Sequence, residues 1–311
     1  MAERLSESAR GVYIISATPF TDDGAIDLDS ADRLVEFYIE SGVSGITVLG
    51  MMGEAQKLSA TESHDFMTHM LGRVGGRVPV VVGVSNAGLD PLVRLSHAAM
   101  DAGAAGVMVA PMPGLSTEVK LHGYFAQVCT ALGPDVPVVY QDYPQATGSH
   151  ISVPCFVNMI NEFEQIIMLK HEDCPGLDKL SQVRRASDAG DCRRVSVLVG
   201  NGGLYLPQEL ARGADGAMTG FAYPEMLVQV VELFQAGEAA RAEDLFDSYL
   251  PLIRHEQQPG VGLAIRKETL CRRGLLASAK TRAPGPSLDD IAMAELDNLT
   301  ARLEARLAQG G

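Results

Sequence analysis

The alternation of short apolar runs with longer amphipathic runs constrains the fold of this chain more than any other feature. Eight short runs rich in β-branched residues recur along the sequence. Most of them are apolar at successive positions, which is typical of parallel strands covered on both faces. They are GVYIISA (11–17), GITVLG (45–50), VPVVVGV (78–84), GVMVAP (106–111), VPVVYQ (136–141), QIIMLK (165–170), VSVLVG (195–200) and GAMTG (216–220).

Helical patterns fill the gaps between these runs, and the junctions share a motif. Residues 29–42 and 224–237 both show apolar positions at helical spacing. Two glycines recur where a helix meets the next strand, the first suited to a left-handed helix cap and the second to a close strand start. The motif occurs as SGVSGI (41–46), AGAAGV (102–107) and RGADGA (212–217). Eight such strand–helix units predict a closed α/β barrel, the (β/α)8 or TIM barrel, rather than an open sheet.

Beyond residue 237 the pattern becomes wholly helical. Three helices are predicted over residues 238–258, 262–274 and 289–309, with a Pro- and Gly-marked connector at 281–290 before the last one. We therefore predict two parts. Residues 1–237 form the barrel with the active site, and residues 238–311 form a C-terminal helical extension packed on it.

Composition narrows the class of protein. A chain of 311 residues can build a core that needs no disulfide or metal. Its five cysteines are an odd number without a Cys-x-x-Cys pair, which indicates reduced thiols in a cytoplasmic protein. Lys and Arg number 25 against 39 Asp and Glu, a net charge of −14 without a basic stripe, so nucleic acid is not expected as a partner.

Targeting signals are not expected either. The first 20 residues lack a basic region followed by a long apolar one, so no signal peptide is predicted. No apolar run approaches the roughly 18 residues that a membrane span needs. The sequence therefore predicts no contact with a membrane.

Lys170 ends the sixth predicted strand, in the stretch IIMLKHEDCPG (166–176). Side chains alternate along a strand, so Lys170 and Glu172 share one face and His171 lies on the other. Because the strand ends of such a barrel carry the reacting groups, Lys170 is predicted to point into the barrel mouth. It is either a lysine neutralised by Glu172 or Asp142, or a partly desolvated amine that attacks a ketone to form a Schiff base.

Four motifs occur in a consistent order, within a resemblance that covers roughly residues 10–275: ATPF (17–20), GMMGE (50–54), LKHED (169–173) and GADGAMTG (213–220). In this order they resemble the dihydrodipicolinate synthase and N-acetylneuraminate lyase family of class I aldolases. The resemblance implies that Lys170 condenses with the ketone of pyruvate or another 2-keto acid. The protonated imine then permits carbon–carbon cleavage, carbon–carbon formation or loss of water, without another cofactor. The family also implies a homo-oligomer, a tetramer or a dimer.

The resemblance also suggests where the substrate binds. Its carboxylate would lie against the loop at Met51 and Met52, because backbone N–H groups in such a loop can hold an anion. Thr18 is a candidate hydrogen-bond partner near the imine, although it could also simply close the first strand. Gly200 and Asn201, in GNGG at the end of the seventh strand, can offer further N–H groups to an anion.

The sequence departs from the pattern of family members that make dihydrodipicolinate. Their loop threonines are replaced by Met51 and Met52, and their tyrosine after strand 5 by Gln141, which cannot transfer protons near pH 7. Their second tyrosine falls at Pro113, and their arginine for a dicarboxylic substrate at Ala146. We therefore do not expect this chain to make dihydrodipicolinate.

Tyr143 is a candidate replacement for the lost tyrosine. It lies two residues beyond Gln141, so both face the same way if the strand continues. The alternative is that Tyr143 packs in a turn before Pro144. Tyr140 has the opposite parity and is expected to pack against a helix.

The leading hypothesis is a Schiff-base lyase, an aldolase or a dehydratase, with Lys170, Tyr143 and Gln141 in its catalytic centre. One alternative is a non-catalytic or regulatory barrel that binds a small acid, since the relay tyrosines are missing. A metal-dependent lyase is a third. Alternation sends the neighbours His171, Glu172 and Asp173 to opposite faces, which disfavours a shared metal, and no metal is predicted.

Overall fold

Eight parallel strands form a closed barrel in the computed structural model, which describes residues 4–310 and their side chains as far as residue 308. Each strand pairs with the next, and the eighth pairs with the first. The strands are β1 (Gly11–Ile15), β2 (Gly45–Val48), β3 (Val80–Gly83), β4 (Gly106–Val109), β5 (Val138–Asp142), β6 (Ile166–His171), β7 (Ser196–Val199) and β8 (Gly216–Thr219). The predicted barrel and all eight predicted strands are confirmed.

Helices surround the barrel and continue beyond it. The helices up to β8 are α1 (Leu28–Glu40), α2 (Ala60–Val74), α3 (Leu89–Asp101), α4 (Glu118–Leu132), α5 (Pro144–Thr147), α6 (Val153–Glu162), α7 (Leu177–Asp188) and α8 (Leu206–Ala211). After β8 come α9 (Pro224–Gln235), α10 (Ala239–Glu256), α11 (Gly262–Arg272) and α12 (Asp290–Gly310). The three helices predicted in the extension are therefore confirmed.

Side chains alternate between the barrel interior and the layer between strands and helices. In β6, Met168 packs inside the barrel with Met108 and Met218, whereas Leu169 packs outside against the helical layer. By the same alternation Lys170 lies on the inner side, one step above Met168. The strand thus carries the lysine to the carboxyl end of the barrel, where such folds place their sites.

The glycines at the helix–strand junctions have the predicted roles. Gly213 has a φ of +93°, in the left-handed region that favours glycine. Gly216 starts β8 so close to β1 that an added Cβ would lie 1.9 Å from the Gly11 carbonyl oxygen. These positions let a helix end and the next strand enter the barrel within a few residues.

The extension packs on the barrel through its helices. Helix α10 packs against α9, and α12 packs against α10. We retain residues 1–237 and 238–311 as a proposed division of the chain. Among the described helices, none is both long and apolar enough to cross a bilayer. All five cysteines are unpaired.

Candidate active site

Lys170 is buried at the carboxyl end of β6. Its side chain is 2% exposed, and its Nζ lies 3.0 Å from Glu172 Oε2. Burying an ammonium is costly unless a partner compensates its charge. Neutralisation of Lys170 by Glu172 was one of the two alternatives predicted from the sequence. The pairing also places a carboxylate beside the amine.

Gln141 reaches the same carboxylate from the neighbouring strand. In the β5–β6 pairing Gln141 stands opposite Lys170, and its Nε2 donates to Glu172 Oε2 at 2.7 Å. One carboxylate oxygen therefore serves both the amine and the amide. The alternation of side chains along β6 predicted that Glu172 shares a face with Lys170, but no sequence pattern indicated a chemical role for it beyond neutralising the lysine.

The turn after β7 packs against Glu172. An added Cβ at Gly200 would lie 2.2 Å from Glu172 Cγ, and Asn201 Nδ2 donates to the Glu172 carbonyl oxygen at 3.1 Å. The N–H groups of Gly200, Gly202 and Gly203 already donate to His171, Thr219 and Gly200 oxygens. The expectation that the Gly200 N–H holds an anion is therefore not met, because a protein acceptor occupies it, whereas for the Asn201 N–H it stays a prediction. A contact between Asn201 and substrate stays a prediction.

The loop after β2 has free donors. Met51–Gly53 form a 3-10 turn, and the first N–H groups of such a turn have no acceptor within it. Among the described residues no acceptor is found for the N–H groups of Met51 and Met52. Thr18 is fully buried, and its Oγ1 donates to the Gly53 carbonyl oxygen at 2.6 Å. Thr18 thus holds the loop in place.

Tyr143 is half-buried just beyond the end of β5. The strand stops at Asp142. Tyr143 was predicted to face the same way as Gln141 only if the strand continued, so strand geometry does not give it that orientation. Burial, with a smaller contribution from the Glu172 charge, raises the pKa of the Tyr143 phenol. A role of Tyr143 in the active site stays a prediction.

Tyr140 has the opposite orientation, as predicted. Its ring lies 4.7 Å from that of Phe125 on α4 and 5.8 Å from that of Phe156 on α6. Tyr140 is therefore part of the helix-facing core.

A cavity of about 1000 Å³ opens beside the barrel mouth. Met51, Gln141, Asn86, His64 and Arg94 are among the residues that line it. Lys170 is not part of its wall. Gln141 therefore borders both the cavity and the Lys170–Glu172 pair, and the space suffices for a sugar acid longer than pyruvate.

The residues that follow Lys170 alternate as expected. His171 lies on the outer face, where its Nε2 is 2.9 Å from the Gly176 carbonyl oxygen. Asp142 also faces outward and accepts from Lys179 at 2.6 Å. The described residues contain no group of three or more His, Cys, Asp or Glu arranged to hold a metal ion.

Comparison with known proteins places the chain in a family. A model described as the dihydrodipicolinate synthetase family matches residues 8–303. A curated relative, L-2-keto-3-deoxyarabonate dehydratase from Azospirillum brasilense, is 31% identical over 300 residues, which are 95% of this chain and 94% of the relative. The resemblance inferred from the motifs is confirmed.

Solved structures agree with the fold. A crystal structure of dihydrodipicolinate synthase from Rhodopseudomonas palustris is 48% identical with a TM-score of 0.95, covering 97% of this chain and 100% of that one. The prophage protein YagE from E. coli K12, of the dihydrodipicolinic acid synthase family and solved with pyruvate, is 25% identical with a TM-score of 0.86; it covers 95% of this chain and 98% of that one. These relatives bear the names of two different reactions.

Proposed function

The chain belongs to the dihydrodipicolinate synthetase family and is a class I lyase, and on this premise we propose that it dehydrates a 2-keto-3-deoxy sugar acid through an imine on Lys170. Similarity to the arabonate dehydratase over 95% of the chain supports this substrate class. The observation that carries the choice of reaction is the Glu172 carboxylate, 3.0 Å from Lys170 Nζ. A dehydration needs a group that first takes a proton and then returns it, and a carboxylate can do both.

The steps balance with these two residues. Lys170 attacks the ketone at C2, and water leaves to give a protonated imine. Glu172 takes a proton from C3, and the electrons move to the imine nitrogen to form an enamine. The enamine electrons then expel the hydroxyl on C4, which takes the proton from Glu172 and leaves as water. Hydrolysis of the conjugated imine frees Lys170, so one water is lost overall.

The other predicted residues have supporting roles in this proposal. The N–H groups of Met51 and Met52 bind the substrate carboxylate, while Thr18 holds their loop. Gln141 orients Glu172 and presents its amide oxygen to the substrate. Tyr143 donates a proton while the imine forms. In the turn after β7, Gly200 leaves room for the Glu172 side chain. Asn201, which holds the Glu172 backbone, contributes to the substrate site.

Synthesis of dihydrodipicolinate fits this site poorly, although a 48% identical structure bears that name. Met51, Met52 and Gln141 lack the hydroxyls that relay protons in that reaction. In our proposal the Glu172 carboxylate transfers protons in place of those hydroxyls. We therefore expect no condensation of pyruvate with a semialdehyde.

Aldol cleavage is the second candidate, favoured by the relative that was solved with pyruvate. In that reaction the C3–C4 bond breaks, and pyruvate leaves together with an aldehyde. The same imine on Lys170 supports both reactions. They differ in whether the base takes the proton from C3 or from the C4 hydroxyl.

The setting of the reaction is also proposed. We infer a cytoplasmic enzyme, from the unpaired cysteines, that works as a homo-oligomer, from the family, and uses no metal or other cofactor besides the lysine imine. Its ligand is a small 2-keto acid, and neither nucleic acid nor a membrane is a partner.

A product analysis separates the two reactions. The purified chain is incubated with 2-keto-3-deoxyarabonate, and the products are followed by proton NMR and by a coupled assay for pyruvate. We expect a product one water lighter and no pyruvate. Pyruvate with a two-carbon hydroxyaldehyde would establish aldol cleavage instead. No turnover of this or related five- and six-carbon acids would overturn the proposal.

A further inference from the structure

The loop that offers the Met51 and Met52 N–H groups is fastened to the C-terminal extension by a buried ionic network. Its centre is Glu54, which is fully buried and has a φ of +54°, in the left-handed region. A side chain other than glycine is strained there, and such strain persists only where the surroundings enforce it. The contacts of Glu54 show what enforces it.

Glu54 accepts from three donors. Lys267 Nζ, on α11, donates to Oε1 at 2.6 Å. Lys57 Nζ donates to Oε2 at 2.7 Å, and the backbone N–H of Arg282 donates to the same oxygen at 3.0 Å. Two of the three donors therefore come from the extension, more than 210 residues away along the chain.

Lys267 is held as firmly as Glu54. It is fully buried, donates also to the Lys280 carbonyl oxygen at 2.9 Å, and lies 4.3 Å from the centre of the Phe20 ring. Burial lowers the pKa of Lys267 to about 8, against the opposing effect of Glu54. The guanidinium of Arg282 lies 4.5 Å from the centre of the same ring. We call Lys267 and Arg282 the C-terminal clamp.

The geometry of one peptide bond links Glu54, which the clamp holds, to the N–H group of Met52. The Glu54 N–H donates to the Met51 carbonyl oxygen at 3.0 Å. That carbonyl and the Met52 N–H belong to one planar trans peptide, so fixing the oxygen fixes the direction of the N–H. The position of Glu54 therefore sets the orientation of the Met52 N–H.

A simple attachment of the extension would not need these charges. Replacing a buried ion pair by apolar residues is often neutral or stabilising, whereas removing one partner is strongly destabilising. The network lies at Glu54, a residue whose backbone N–H helps to orient the loop. Its charges therefore serve geometry at the loop rather than attachment alone.

We propose that Lys267 is a positioning residue: from the extension, and through Glu54, it holds the Met51 and Met52 N–H groups in the direction that binds the carboxylate of the keto acid. This proposal rests on the proposed function, since it assumes imine formation at Lys170. It adds that the extension completes the substrate site.

The test compares ketones with and without a carboxylate. Borohydride trapping of the imine is measured against concentration for pyruvate and for hydroxyacetone, which has no carboxylate. In Lys267→Met we expect the half-saturating pyruvate concentration to rise about tenfold, the loss expected for one charge-assisted hydrogen bond. The rate at saturation and the whole hydroxyacetone curve should change little.

Lys280→Met is the matched control. It removes an exposed lysine side chain of the extension but keeps the backbone carbonyl that Lys267 uses, so both curves should match the wild type. If Lys267→Met does not fold, the double variant Glu54→Gln with Lys267→Met removes both buried charges and should show the same selective loss for pyruvate.

Three results would overturn the proposal. These are an unchanged pyruvate curve, an equal loss for both ketones, or unfolding of both the single and the double variant, which would make Lys267 a structural residue. Failure of the proposed function looks different. In that case the wild-type chain itself gives no adduct with pyruvate.

Discussion

Glu172 Oε2 lies 3.0 Å from Lys170 Nζ and accepts from Gln141 Nε2 at 2.7 Å. Strand parity in the sequence predicted that Lys170 and Glu172 share a face. The hydrogen bond from Gln141 depends on the register of β5 against β6, which no local pattern encodes. At the scale of single residues, the candidate nucleophile could thus be predicted from the sequence, and the arrangement around it could not.

Glu172→Gln should separate imine formation from dehydration. The amide keeps the size of the side chain but can neither take nor return a proton. We expect dehydration to fall at least about 100-fold, the usual contribution of a general base, while imine trapping with pyruvate persists. Steady-state rates and borohydride trapping measure the two effects.

Asp173→Asn is the control for this change. Asp173 lies one residue further on and pairs with Lys179, away from Lys170. Its variant should dehydrate substrate at nearly the normal rate. Full turnover in Glu172→Gln would remove the carboxylate from the mechanism.

Tyr143→Phe tests the proposed proton donor. A phenol is protonated at neutral pH, as a donor requires, and burial, which raises the pKa of Tyr143, does not change this. Removing the hydroxyl should slow imine trapping about 10- to 100-fold. Tyr140→Phe, which changes a buried phenol on the helix-facing side, should leave the trapping rate unchanged. Equal rates in the two variants would return Tyr143 to a packing role.

At the scale of elements, long periodic segments could be predicted and short turns could not. The strands and the long helices follow from apolar periodicity and from glycines at their junctions. Helix α5 and the 3-10 turn Met51–Gly53 have three or four residues each, too few for a period. Their geometry depends on distant partners, such as the hydroxyl of Thr18 on the Gly53 carbonyl.

The turn after β7 gives a prediction at this scale. In Gly200→Ala the new methyl would meet Glu172 Cγ at 2.2 Å, so the Glu172 side chain must shift from the position in which it pairs with Lys170. We expect turnover to fall about tenfold or more, with a smaller effect on the melting temperature. Gly72→Ala, in α2 with no atom near the added methyl, should be neutral or stabilising. Normal turnover in Gly200→Ala would show that the position of Glu172 tolerates this shift.

At the scale of the whole molecule, the order of motifs predicted the barrel and the family. It did not predict that the extension reaches the loop after β2. Lys267 and Glu54 are 213 residues apart, and each alone reads as an ordinary surface charge. Only the folded chain brings them together under the substrate site.

Stability should depend on pH through Glu209, on the buried side of α8. Burial raises the pKa of Glu209 to about 7, opposed by His171, and its Oε2 has no hydrogen-bond partner within the described residues. Between about pH 4.5 and 7 the unfolded chain loses this proton while the folded chain keeps it, so stability falls as pH rises. Above about pH 7 the destabilisation is constant.

Glu209→Gln removes this charge. We expect a melting temperature above that of the wild type at pH 8, and a much smaller difference at pH 5, where the carboxyl of the folded protein is neutral. Thermal unfolding at both pH values measures this. A gain of equal size at both would assign the effect to packing rather than to ionisation.

The measurement that tests the mechanism most directly is borohydride trapping with pyruvate, followed by intact-mass and peptide analysis. We expect one reduced adduct per chain, on Lys170, that requires pyruvate and is absent from Lys170→Ala. An adduct on another lysine, or none with any 2-keto acid, would contradict imine chemistry at Lys170.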